Sequence, residues 1–132
     1  MATELTERQI TECRDLLRER SSELREQIRV ELEASGEESY ADLAGQVHDL
    51  EEAALADLLT DLELAEVDRH VAEFREIQAA LMRIAQGTYG TCSDCENPIR
   101  VERLRVNPTA RRCLRCQELY ERTHEHPPSH GI

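Results

Sequence analysis

The chain has no tryptophan, one phenylalanine (Phe74) and three tyrosines in 132 residues. Aromatic side chains supply much of the buried mass of an ordinary core, so their scarcity argues against a thick globule. No apolar run approaches the ~20 residues that a membrane-spanning helix needs. The stretch Met1 to Glu12 lacks the apolar centre of an export signal, and a cytoplasmic location is expected. Also missing are a Ser/His/Asp arrangement, a phosphate-cradling glycine loop and an open histidine-rich metal site, so enzyme activity is not expected. The apolar content that remains is mainly Leu, Ala, Ile and Val, which suits helices packed in pairs. An elongated molecule with a small, stapled head follows from that composition.

Charge is abundant, at 33% of residues, and unevenly placed. Residues 1–91 hold 9 arginines and 22 acidic residues, whereas residues 92–132 hold 7 and 6. So acidic an arm repels phosphate backbones. It suits a basic protein surface or a cation-filled cavity, or it simply keeps a thin hairpin in solution.

Thr6-Glu7-Arg8-Gln9 has the form of a capping box and predicts a helix start at Thr6. Ile10, Cys13, Leu17, Leu24, Ile28 and Leu32 then recur at spacings that place them on one helix face, up to an exit at Ser35-Gly36. Cys13 lies on this stripe and reads as a small buried apolar residue. Residues 35–47 read as a turn or loose connection. A second helix is predicted from near Val47 or Asp49 to Gln86. Leu64, Val67, Val71, Phe74, Leu81 and Ala85 form its clearest stripe, and a stutter separates them from Leu50, Leu55, Leu58, Leu59 and Leu62. Two helices of roughly 28 and 38 residues, at ~1.5 Å per residue, predict an arm on the order of 40 Å long. Neither buries its stripe alone, so an antiparallel hairpin is expected, with pairing between two chains as the alternative.

Five cysteines are present. Four form the pairs Cys92-x2-Cys95 and Cys113-x2-Cys116, separated by 17 residues. Two such turns present four thiolates to one ion and leave no open position, which predicts a structural zinc site, with a redox dithiol or an iron–sulfur site as the alternatives. The fold class expected is all-α: a long antiparallel hairpin (coiled coil) over residues 6–88 with its tip near residues 36–54, a four-cysteine zinc-finger head with a short C-terminal helix over residues 89–123, and a disordered tail over residues 124–132. Arg100, Arg103, Arg105, Arg111, Arg112 and Arg115 decorate the head. They suit docking on an acidic protein surface, contact with nucleic acid, or plain solvation. Asp49 and Glu52, three residues apart, would share a helix face near the tip, or Asp49 would cap that helix.

Several of these stretches together are similar to one family. Gly87-Thr88-Tyr89-Gly90-Thr91-Cys92, Pro98-Ile99, Arg103-Leu104, Asn107-Pro108-Thr109-Ala110 and Cys113-Leu114-Arg115-Cys116-Gln117 resemble the DksA/TraR zinc-finger family, and the likeness extends over about residues 8–120. It implies a monomeric bacterial transcription factor that binds RNA polymerase rather than reading promoter DNA. In members resembling DksA, the coiled coil enters the polymerase secondary channel and brings an Asp-x-x-Asp-x-Ala tip near the active site. That motif falls on Asp49, Glu52 and Ala54, with the second acid longer by one methylene. Glu96 stands where the family usually has glycine after the second cysteine, which implies strain in the first knuckle. The family's basic residues for guanosine tetraphosphate fall on Glu76, Asn107 and Gln117, none of them basic, which implies little dependence on that nucleotide. Outside the family, the competing readings are a zinc-ribbon nucleic-acid binder and a dimerising coiled-coil adaptor.

Overall fold

The structure, a computed structural model, describes residues 4–61 and 65–124. Leu62, Leu64 and residues 125–132 of the expected tail lie outside them. Among the described residues six helices follow in order: α1 Glu7–Ala34, α2 Glu38–Gln46, α3 Glu52–Thr60, α4 Ala65–Gln86, α5 Val101–Val106 and α6 Leu114–His124. Among the described residues, β structure is limited to one isolated bridge between Thr91 and Pro98. No helix among them is long and apolar enough to cross a membrane.

The start of α1 follows its local chemistry. The Thr6 hydroxyl accepts from the Gln9 backbone N–H at 3.1 Å, and the Gln9 side chain accepts from the Thr6 N–H at 2.9 Å. Two of the amide donors orphaned at the helix end are thereby satisfied. Cys13, Leu17, Leu24, Ile28 and Leu32 are buried along one face, as their spacing predicts. Ser21 joins them, fully buried, at the position the apolar pattern skips.

Against this face runs α4, which buries Val67, Val71, Phe74, Ile77 and Ala80. The expected stripe is partly corrected at its C-terminal end. Ile77 takes the inward place near the gap left at Gln78, and Ala85 is exposed. Steps of three and four from Val67 reach Ile77 and Ala80 on the drifting α-helical period, while a strict heptad runs off the buried face. The pair is antiparallel. Ser21 lies opposite Gln78, with their side chains 3.4 Å apart, and Glu31 faces His70 at 2.9 Å. Arg20 grips the Glu73 carboxylate with two donors, Nε at 2.7 Å and an Nη at 2.9 Å. That guanidinium holds the Glu73 carboxyl below its ordinary range.

The distal part of the arm differs from the simple hairpin. Residues 38–46 are helix rather than loose connection, and the predicted single second helix is divided: α3 ends at Thr60 with Asp61 as its cap. Gly36 adopts a φ of 81°, which glycine reaches without steric cost. The chain therefore reverses there, and α2 packs back along α1. Ala44 and Val47 from this return, and Leu55, Ala56 and Leu59 of α3, enter the common core. α3 packs on α4. Apolar spacing specifies faces but not which partner covers them, so the fold-back was not legible from the stripe alone.

Candidate metal centre and acidic segment

The first knuckle is built around Cys92. Its backbone N–H donates to Asn97 O at 2.8 Å, and the Glu96 N–H returns to Cys92 O at 2.9 Å. Closing so tight a loop places Glu96 at φ 65°, the one non-glycine residue of positive φ among the described residues. An L-residue in that conformation costs roughly 1–2 kcal/mol. Glu96→Gly is therefore expected to stabilise the zinc-loaded head by about 0.5–1 kcal/mol, once the greater unfolded-state entropy of glycine is subtracted. Competition with a chelator measures it; an unchanged or weaker grip on zinc would contradict the strain.

The second knuckle uses a helix end. Cys113 stands just before α6, its carbonyl accepting from the Gln117 N–H at 2.9 Å, and Cys116 lies in the first turn. A helix N-terminus carries partial positive charge and favours thiolates. The Ser93 N–H donates to Arg111 O at 2.8 Å and ties the two knuckles together.

The four Sγ atoms all lie within 4.8 Å of one another, and those of Cys95 and Cys113 are 3.9 Å apart. Four thiolates at ~2.3 Å from a tetrahedral ion have edges of about 3.8 Å. The donor set fits zinc, with every position filled by sulfur, so the ion's role is structural. Burial would raise the Cys92 thiol, but backbone hydrogen bonds from Cys95, Cys113 and Asp94 outweigh it and hold it at about 6. Hydrogen bonding to Cys113, together with burial, pushes Cys116 up to about 12.

The head is fastened to the hairpin by residues that pattern reading missed. Tyr89 is buried and donates through its hydroxyl to Pro108 O at 2.8 Å. Burial, then hydrogen bonding with Cys13 of α1, pushes its pKa well above the usual phenol range. Arg83 donates to Thr109 O at 3.3 Å. Gly90, at φ 89°, lies so close to Leu5 that an added Cβ would come within 2.7 Å of it. A lone tyrosine and a lone arginine carry no periodic signal, which is why these contacts emerge only in three dimensions.

The six arginines separate into two groups. Arg103 donates to Arg112 O at 3.0 Å, and Arg112 pairs with Asp94 at 2.9 Å while its guanidinium lies 3.8 Å above the Tyr120 ring. These two hold the head together. Arg100, Arg105, Arg111 and Arg115 are exposed, Arg105 lying 3.6 Å from Glu12.

The acidic segment is not placed as the simple hairpin predicts. Asp49 and Ala54 are exposed, but Asp49 precedes α3 in the turn that follows α2, so it shares no helix face with Glu52. The residue capping α3 is Glu51, without a side-chain hydrogen bond. Glu52 bends inward and accepts from the Ser21 hydroxyl at 2.6 Å. Arg25 donates to Leu50 O, and His48 lies 3.2 Å from Glu26. Asp49 and Glu52 therefore sit beside the middle of α1, not at the end of the arm where α1 turns over.

An antiparallel helical arm with a closed four-cysteine zinc finger at one end defines a class of small zinc-finger proteins. Residues 87–122 match the model of the prokaryotic dksA/traR C4-type zinc finger. The chain belongs to the DksA/TraR zinc-finger family. It is similar to the RNA polymerase-binding transcription factor DksA of Caulobacter vibrioides, 35% identical over 85 residues, covering 64% of this chain and 55% of that one. It is also 35% identical over 86 residues to an uncharacterised protein of Haemophilus influenzae, covering 61% of this chain and 95% of the relative. Among solved structures, transcription factor DksA2 from Pseudomonas aeruginosa matches with a TM-score of 0.64 and 30% identity, over 92% of this chain and 90% of that one. The chain spans about half the length of the first curated relatives it matches.

Proposed function

We propose that the protein regulates transcription by binding bacterial RNA polymerase through its secondary channel, with Asp49, Glu52 and Ala54 acting near the active site. The observation that carries the reading is the joint presence, in one chain, of the closed cysteine site, the antiparallel arm and the acidic segment. Two relatives whose names record polymerase binding or transcription support it. In this reading the exposed Arg100, Arg105, Arg111 and Arg115 dock the head. Arg103 and Arg112 keep it in shape for docking. The protein acts as a cytoplasmic monomer, is not an enzyme and needs no sequence-specific DNA contact.

Little dependence on guanosine tetraphosphate is part of the proposal. Glu76, Asn107 and Gln117 line one groove of about 660 Å³. Four arginines line it too, but Arg83, Arg103 and Arg112 are already committed to Thr109, to the Arg112 carbonyl and to Asp94. Glu118 and Glu121 add further negative charge to that groove. None of the three family positions in this groove carries a basic side chain, and its three carboxylates offset most of the charge of its four arginines.

Asp49→Asn is expected to leave binding to core polymerase unchanged while reducing the effect on transcription from a responsive promoter at least several-fold. Binding and multi-round transcription are measured side by side. Absence of polymerase binding by the parent protein, or an effect indifferent to the substitution, removes the proposal. The nucleic-acid alternative predicts steeply salt-dependent DNA binding by the exposed arginines, which a titration at two salt concentrations decides.

A further inference from the structure

Single apolar side chains scattered over a folded surface are ordinary. Two on the head are not scattered. Val106, the last residue of α5, is 87% exposed, and Leu114, the first of α6, is 58% exposed. They are the two most exposed large apolar side chains among the described residues, and both line one groove of about 550 Å³. Neither carries the fold, since the buried side chains of α5 and α6 are Leu104 and Cys116. A β-branched valine brings α5 no gain in helix propensity either.

The same groove has a charged rim. Arg100 and Arg115 stand on it exposed to solvent, and Arg103 lines it with its guanidinium tied to Arg112 O. Glu102 is the one carboxylate there, 3.8 Å from Arg100 and exposed like it. So loose a surface pair contributes little. The rim therefore keeps a net positive charge, although the chain as a whole carries −12. Aliphatic side chains at the centre of a basic rim suit a protein surface. Their burial excludes water from the charge pairs around them and strengthens those pairs. Nucleic acid would satisfy the arginines and leave Val106 and Leu114 without partners, because the groove holds no aromatic ring on which a base could stack.

We propose that Val106 and Leu114 form the apolar anchor of the head, receiving an aliphatic side chain that is ringed by carboxylates on the polymerase surface. Arg100 and Arg115 pair with those carboxylates. The proposal rests on the polymerase reading above and adds to it the chemistry of the surface that is met. Opposite charges steer the encounter and fix its orientation. The buried valine and leucine govern how long the complex lasts.

The test is binding of the zinc-loaded full chain to core polymerase. Val106→Ser is expected to weaken binding on the order of 10-fold, the loss of one buried aliphatic side chain, chiefly through faster dissociation. Leu114→Ser should act in the same way. Val106→Ile keeps the apolar surface and should hold affinity within about 2-fold. Met82→Gln, 54% exposed on α4 and outside the groove, should change nothing. Zinc content and helical signal should match the unsubstituted protein throughout, because every altered side chain is exposed. If both serine variants bind polymerase as the unsubstituted protein does, the anchor is wrong and the polymerase reading stands. If the unsubstituted protein does not bind polymerase, both fall together. If the serine variants weaken DNA binding instead, the groove takes nucleic acid and the proposal is overturned.

Discussion

Removing zinc is expected to unfold residues 89–124 and leave the α1/α4 pair helical. Between the knuckles and around them the buried apolar side chains are Tyr89, Cys92, Ile99, Leu104, Ala110 and Cys116, too little apolar surface to hold α5, of 6 residues, and α6, of 11 residues. Zinc bound by such modules contributes ~10–16 kcal/mol of apparent binding energy, as much as the whole stability of an ordinary domain at ~5–15 kcal/mol. Circular dichroism should lose the α5 and α6 signal on chelation, and Tyr89 should become exposed to solvent as Pro108 releases its hydroxyl. Cys113→Ala should reproduce this without chelator. Because the thiols must lose protons to bind, zinc is lost as pH falls. A reduced, metal-free chain that keeps its α5–α6 helicity and a buried Tyr89 would contradict the assignment.

Phe74→Ala is expected to be the most damaging single change in the arm. Phe74 is fully buried in a core whose other members are aliphatic or small, apart from Tyr89 near the head. Its truncation removes the largest side chain and leaves a cavity between thin helices that have few layers with which to collapse. Such changes cost ~3–5 kcal/mol, a large share of the stability available to a single domain. Urea unfolding followed by helical signal should show the midpoint falling steeply with an unchanged slope. The zinc site, held by its own ligands, should persist. A loss below about 1 kcal/mol would mean that the α1/α4 interface is looser than its burial indicates.

Much of this molecule is decided within short stretches of chain. The Thr6 cap closes within a single helical turn. The inward face of α1 follows from aliphatic spacing. The four cysteines, at two fixed short spacings, specify a tetrahedral sulfur site whatever surrounds it, because the metal's own geometry does the assembling. Glu96 is legible for a related reason: the knuckle imposes its backbone conformation locally, so a side chain placed there carries the strain with it.

What lies beyond local chemistry was settled in three dimensions. Periodicity marks the faces of residues 38–60 as apolar without naming the face that covers them. Gly36 permits a reversal but does not compel one. Only tertiary packing decided that α2 returns along α1, that Ser21 is a buried polar contact for Glu52, and that Asp49 rests beside the helix middle. The division of the arginines has the same origin, since a guanidinium reaches far enough to serve its own fold or a partner. Local sequence determines which groups are available, and the competition among long-range partners determines which of them meet.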